Sequence, residues 1–204
     1  LAVQDLAQDG KPEIVVGNSQ DNTVSIFENE SAPGMIYFSS PEVLDAAAGP
    51  AGVVIADVDG DGNPDIVTAN NGLTNAAFSI FQNPGIDNDI YTNSFLPRVD
   101  LGGNNLADAL AVGDLDGDGK LDVVAGSMSG QAISVYRNIS SPGLIDTNSF
   151  ATPVDFPAGG AVTSVALADL DGDRKLDVAF SANGPDAFSV YRNLSAPGSF
   201  TVSS

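Results

Sequence analysis

An acidic nonapeptide returns four times along this chain and constrains its fold more than any other feature. The copies are DLAQDGKPE (Asp5 to Glu13), DVDGDGNPD (Asp57 to Asp65), DLDGDGKLD (Asp114 to Asp122) and DLDGDRKLD (Asp169 to Asp177). Their starts lie 52, 57 and 55 residues apart. A period of this length exceeds most helical solenoid repeats and suits a unit of four short strands.

The intervals between copies divide accordingly. Ahead of the acidic stretch run small apolar residues: Val53–Ala56, Leu110–Gly113 and Val165–Ala168. Immediately after it come β-branched runs, Ile14–Val16, Ile66–Thr68, Val123–Ala125 and Val178–Phe180, of the kind buried on both faces. A third run alternates apolar residues with serine, in Val24-Ser25-Ile26, Phe78-Ser79-Ile80, Ile133-Ser134-Val135 and Phe188-Ser189-Val190; period two is the signature of a strand, not of a helix. Pro-Gly then recurs at Pro33, Pro84, Pro142 and Pro197, followed by weaker strands such as Val99–Leu101 and Val154–Phe156, which reads as a turn before an outer strand. Four strands per period is one blade of a β-propeller. The expected fold is therefore all-β, with four-stranded antiparallel blades at about 1–45, 46–101, 102–156 and 157–204 forming a single propeller segment over 1–204. The innermost strand is the one that precedes each acidic loop.

Within each loop, positions 1, 3, 5 and 9 carry the chemistry. They are Asp57, Asp59, Asp61 and Asp65 in the second copy, Asp114, Asp116, Asp118 and Asp122 in the third, and Asp169, Asp171, Asp173 and Asp177 in the fourth. Four converging carboxylates repel one another unless a cation sits among them. An oxygen-only set with no histidine or cysteine calls for a hard ion, and a flexible cage completed by the position-7 carbonyl of Asn63, Lys120 or Lys175 favours Ca2+ over Mg2+. The first copy offers Asp5, Asp9 and Glu13 but has Ala7 at position 3, one carboxylate short. Three to four Ca2+ ions are expected. Glycine at position 6 (Gly10, Gly62, Gly119) serves a sharp turn, and Arg174 replaces it in the fourth copy.

These loops contain fifteen of the 27 acidic residues, so much of the formal charge of -20 reflects metal ligands. A chain this acidic lacks the basic face that nucleic acid or an anionic membrane requires. No run of about 18 apolar residues predicts membrane insertion. With no histidine, cysteine or tryptophan, the usual nucleophile–base pairs cannot be built from this chain, and an enzyme is not expected. Extracellular calcium sites fill at roughly 0.1 to 1 mM, which implies a secreted or cell-surface location. Asn29, Asn138 and Asn193 each open an Asn-x-Ser triplet. Because the triplet recurs with the repeat, a structural role at a strand end is expected rather than glycosylation.

On the three complete aspartate loops, each leading into an apolar strand, and on Tyr136-Arg137-Asn138 and Tyr191-Arg192-Asn193, the chain resembles the FG-GAP or VCBS repeat family, and its bacterial surface and secreted members more than the integrin α-subunit. The resemblance implies a ring of seven or so blades, which at this period needs about 400 residues, with calcium between the first and second strands of a blade. The chain is accordingly expected to be part of a longer protein, with further blades as partner segments; a complete four-bladed ring is the rival. The function implied is a calcium-binding scaffold for adhesion or protein recognition, the alternatives being a carbohydrate-binding propeller or an accessory domain of a secreted polysaccharide-active enzyme. The surface expected to meet a protein or glycan ligand is the face opposite the calcium loops, at Asn70 to Asn75, Gly102 to Asp108, Ser127 to Gln131, Ala158 to Ala161 and Ser181 to Asp186.

Overall fold

The computed structural model describes residues 1–72, 76–86, 89–103, 105–183 and 188–203. Residues 73–75, 104 and 184–186 of the expected ligand face lie outside these. Among the described residues, sixteen strands form four separate four-stranded antiparallel sheets, each with its strands in chain order. Sheet one holds β1 (Ala2–Gln4), β2 (Glu13–Asn18), β3 (Thr23–Phe27) and β4 (Glu42–Asp45). Sheet two holds β5 (Pro50–Ala56), β6 (Asp65–Asn70), β7 (Ala76–Phe81) and β8 (Val99–Gly102). Sheet three holds β9 (Ala109–Gly113), β10 (Asp122–Ser127), β11 (Ala132–Tyr136) and β12 (Val154–Pro157). Sheet four holds β13 (Ala161–Ala168), β14 (Asp177–Asn183), β15 (Ser189–Asn193) and β16 (Val202–Ser203). Among the described residues there is no helix, and hence none long and apolar enough to cross a membrane.

Successive sheets stack face to face, and period two decides which neighbour each side chain meets. In β6, Ile66 packs toward sheet one while Val67 and Ala69 pack toward sheet three. In β10, Val123 and Ala125 meet sheet two, and Val124 meets sheet four. Both faces of the middle strands are therefore buried: β6, β7, β10 and β11 have no exposed residue. The first strands touch one another from sheet to sheet, β5 with β9 and β9 with β13, so their small residues line the crowded inner side.

The third-strand serines of sheets one to three, Ser25, Ser79 and Ser134, sit buried at this sheet–sheet interface, and two of them gain partners across the sheet. Ser79 Oγ donates to Asp100 and Ser134 Oγ to Asp155, both at 2.6 Å, from directly opposed positions. The Pro-Gly turns are two-residue hairpins in three sheets, closed by the Met35, Leu144 and Ser199 amides donating to Ala32, Ser141 and Ala196 carbonyls, with glycine at positive φ as a type II turn demands. Pro84-Gly85 differs. It follows Asn83 directly, and the Gly85 amide closes a turn onto the Asn83 side chain instead.

Sheet four exposes one flank. Leu170 and Phe188 are 54% and 65% exposed, whereas their counterparts in sheet two, Val58 and Phe78, are 2% and 0%. Phe188 also falls just outside β15, so the third strand of sheet four starts later than the alternation predicts.

Candidate metal centres

Each acidic loop joins the first strand of a sheet to its second. Before any ion is considered, its carboxylates organise the loop by capping its own amides, as Asp does in turns. Asp57 Oδ1 accepts from the Gly60 and Asp61 amides and Oδ2 from Gly62 at 2.9 Å. Asp114 treats Gly117, Asp118 and Gly119 alike, Asp169 takes Gly172 and Arg174, and Asp5 takes Asp9 and Gly10. Position 5 accepts from position 7: Asp61 from Asn63, Asp118 from Lys120, Asp173 from Lys175 and Asp9 from Lys11.

Position 9 forms the floor. Glu13, Asp65, Asp122 and Asp177 are at most 1% exposed. Asp65 accepts from the Val58 amide at 3.0 Å and the Asn83 amide at 2.8 Å. Asp122 repeats this with Leu115 and Asn138, and Asp177 with Leu170 and Asn193. Glu13, one methylene longer, takes Leu6 and Ala7. Burial pushes the Asp65 carboxyl up to about 7 and that of Asp122 to about 6, and it raises Glu13 and Asp59 as well. Desolvation outweighs the amide hydrogen bonds in each case.

Among the described residues, carboxylates converge in three groups. Asp57, Asp59 and Asp61 each place an oxygen within 4.8 Å of the others, as do Asp114, Asp116 and Asp122, and Asp169, Asp171 and Asp177. Ligands on opposite sides of Ca2+, at 2.3–2.6 Å each, stand about 5 Å apart, so the spacing and the all-oxygen donor set both fit this ion. Asp65, Asp118 and Asp173 belong to the same loops but not to these triplets. The side chains at position 7 turn away from the carboxylates in two loops: Lys120 Nζ donates to Ser140 O and Lys175 Nζ to Ser195 O, both at 2.6 Å, leaving their charge uncommitted to the cluster. Asn63 folds its amide back onto Asp61 at 3.1 Å.

The first loop is different. Among the described residues it presents no such triplet, because Ala7 replaces the position-3 acid, and Lys11 Nζ pairs with Asp9 at 3.3 Å. In the fourth loop Arg192 lies across Asp171 and Asp173, a tethered guanidinium standing where positive charge is wanted. Asp171 is exposed there, while Asp59 and Asp116 at the same position are 3% and 4% exposed. The next sheet covers those two: Gly143 N donates to Asp59 O, and Gly198 N to Asp116 Oδ2.

Two features escaped the reading of the sequence. Position 4 also needs positive φ, met by Gly60, Gly117 and Gly172 but by Gln8 in the first loop, at 56°; the Asp-x-Asp-Gly-Asp-Gly string carried that signal. Asn83, Asn138 and Asn193 reach into the loops, a role that only the recurrence of the Asn residues hinted at. The Asn138 and Asn193 side chains are fully buried, in line with a structural reading of the Asn-x-Ser triplets.

Stacked four-stranded antiparallel sheets in chain order, with acidic loops between first and second strands, define a β-propeller segment. The chain belongs to the family described as FG-GAP-like repeat, whose profile matches residues 5–68 and 114–180, more than half of its length. No curated protein sequence matches it. Among solved structures it is similar to BBS1N in complex with ARL6DN, soaked with mercury (12% identity, TM-score 0.52, covering 89% of this chain and 46% of that one). It is also similar to the V. cholerae biofilm matrix protein Bap1 (20% identity, TM-score 0.54, covering 93% of this chain and 26% of that one). The chain thus spans about half of the first and a quarter of the second, and at these identities the likeness is one of fold.

Proposed function

We propose that this segment is a calcium-stapled propeller scaffold, secreted or displayed at a cell surface, that presents the loops opposite its acidic face to a protein or glycan ligand and continues into further blades of the same protein. The observation that carries the calcium reading is the set of buried position-9 carboxylates at the floor of three converging acidic groups. A divalent cation there would neutralise charge that burial otherwise penalises and cross-link the two ends of each loop. Asp57, Asp59, Asp61 and Asp65 would hold it in the second loop, with their counterparts in the third and fourth. Among the described residues of the opposite face, hydrogen bonds tie neighbouring loops together. Asn71 donates to the Asp108 side chain, which also accepts from the Met128 amide, and Gly130 N is held by Ser127 Oγ.

Thermal unfolding in chelator and in millimolar calcium, with calorimetric titration, tests this reading. Three ions are expected, loops two and three filling before loop four because Arg192 competes there, together with a rise in Tm of about 10 °C. Absence of binding and of any Tm shift would remove both the calcium and the extracellular assignment.

A further inference from the structure

In sheets two, three and four, one side chain apiece stitches the acidic loops into a row. Asn138 holds its own loop through its amide, which donates to Asp122 Oδ1 at 2.8 Å, and through Nδ2, which donates to Leu121 O at 3.0 Å. The same Nδ2 also donates at 2.8 Å to Val58 O, in the loop of the preceding sheet and 80 positions away. Its Oδ1 accepts the Ser140 amide, so both polar atoms of the side chain are committed. Asn193 repeats the pattern with Leu176 O and, one sheet back, Leu115 O. Asn83 does so with Pro64 O and Leu6 O.

The carbonyl that each asparagine captures belongs to loop position 2, between the acids at positions 1 and 3. The amide of that same residue is held by the position-9 carboxylate. Position 2 is therefore pinned from both sides, once by its own sheet and once by the next, and the spacing of the first two acids depends on both. We propose that Asn83, Asn138 and Asn193 are positioning residues that couple each acidic loop to the following sheet, so that the loops order, and bind cation, in neighbouring pairs rather than singly. The cation half of this statement rests on the calcium reading above; the ordering half does not.

Amide measurements on Asn138→Ala and Asn83→Ala separate the two. In chelator, Asn138→Ala is expected to speed hydrogen exchange at the Val58 and Leu115 amides on the order of tenfold, the factor for one lost buried hydrogen bond, and to leave Leu6 unchanged. Asn83→Ala is expected to speed Leu6 and Val58 and to spare Leu115. In a calcium titration followed at the Gly62, Gly119 and Gly172 amides, one in each of the three acidic groups, Asn138→Ala should raise the calcium needed at both Gly62 and Gly119 and leave Gly172 unchanged. Acceleration confined to the variant's own loop, or an equal change at all three sites, overturns the coupling. Should the parent chain show no calcium response at any glycine, the metal reading fails while the exchange data still decide the coupling; should Asn138→Ala not fold, Asn83→Ala carries the same test.

Discussion

Arg174 holds φ at 71°, close to the 88° to 96° of the glycines at its position in the other loops. A side chain in that left-handed region costs about 1–2 kcal/mol. Arg174→Gly is therefore expected to stabilise the chain by about 1 kcal/mol, seen as a higher urea midpoint with unchanged slope. The buried acids make a different prediction. Asp65 and Asp122 titrate higher in the folded chain than the ordinary aspartate value, so between those values the folded state binds more protons than the unfolded one. Their contribution is fully present below the unfolded value, and it is lost as pH rises through about 6 and then about 7. Without metal, Tm should thus be about 5 °C higher at pH 5 than at pH 8, and saturating calcium should flatten the difference. A metal-free Tm that rises with pH over that range would contradict the burial account of these two groups.

Between elements, fit decides. Gly103 follows β8, and a Cβ there would lie 1.8 Å from the Tyr136 hydroxyl oxygen and 3.2 Å from Ala77 Cβ. Tyr136 cannot retreat, because it is 1% exposed and stacks edge-on against Phe78 at 4.9 Å. Gly103→Ala is expected to cost about 2–3 kcal/mol, measured by chemical denaturation; a loss below about 0.5 kcal/mol would mean the ring can move. Such contacts also mark the limit of what the sequence could reveal. Alternation and the aspartate spacing report what happens within one sheet, so the strands and the loop chemistry were legible from residues such as Ser79 and Asp57. Where a neighbouring sheet decides the outcome, the pattern was silent. Asn138 looked like a strand-end residue, yet one of its partners lies in another sheet. Phe188 had the same alternation as Phe78, but it lies exposed on the flank of sheet four. Pro84-Gly85 matched the other Pro-Gly pairs in composition while lacking the residues that separate them from the asparagine, so it builds another turn.

Across the molecule, among the described residues no strand of one sheet pairs with a strand of another; the sheets meet through side chains, loop amides and the asparagine bridges. Pulling the two chain ends apart would therefore not shear one continuous ladder. It would detach sheets one at a time from a flank, each releasing a whole repeat of about 55 residues, or roughly 190 Å of contour length. Single-molecule extension in calcium should show a sawtooth with that step, and a single rupture of the full length would mean that the sheets share one mechanical unit. Under tension such a chain would yield in instalments, keeping its remaining sheets folded as a shock absorber does.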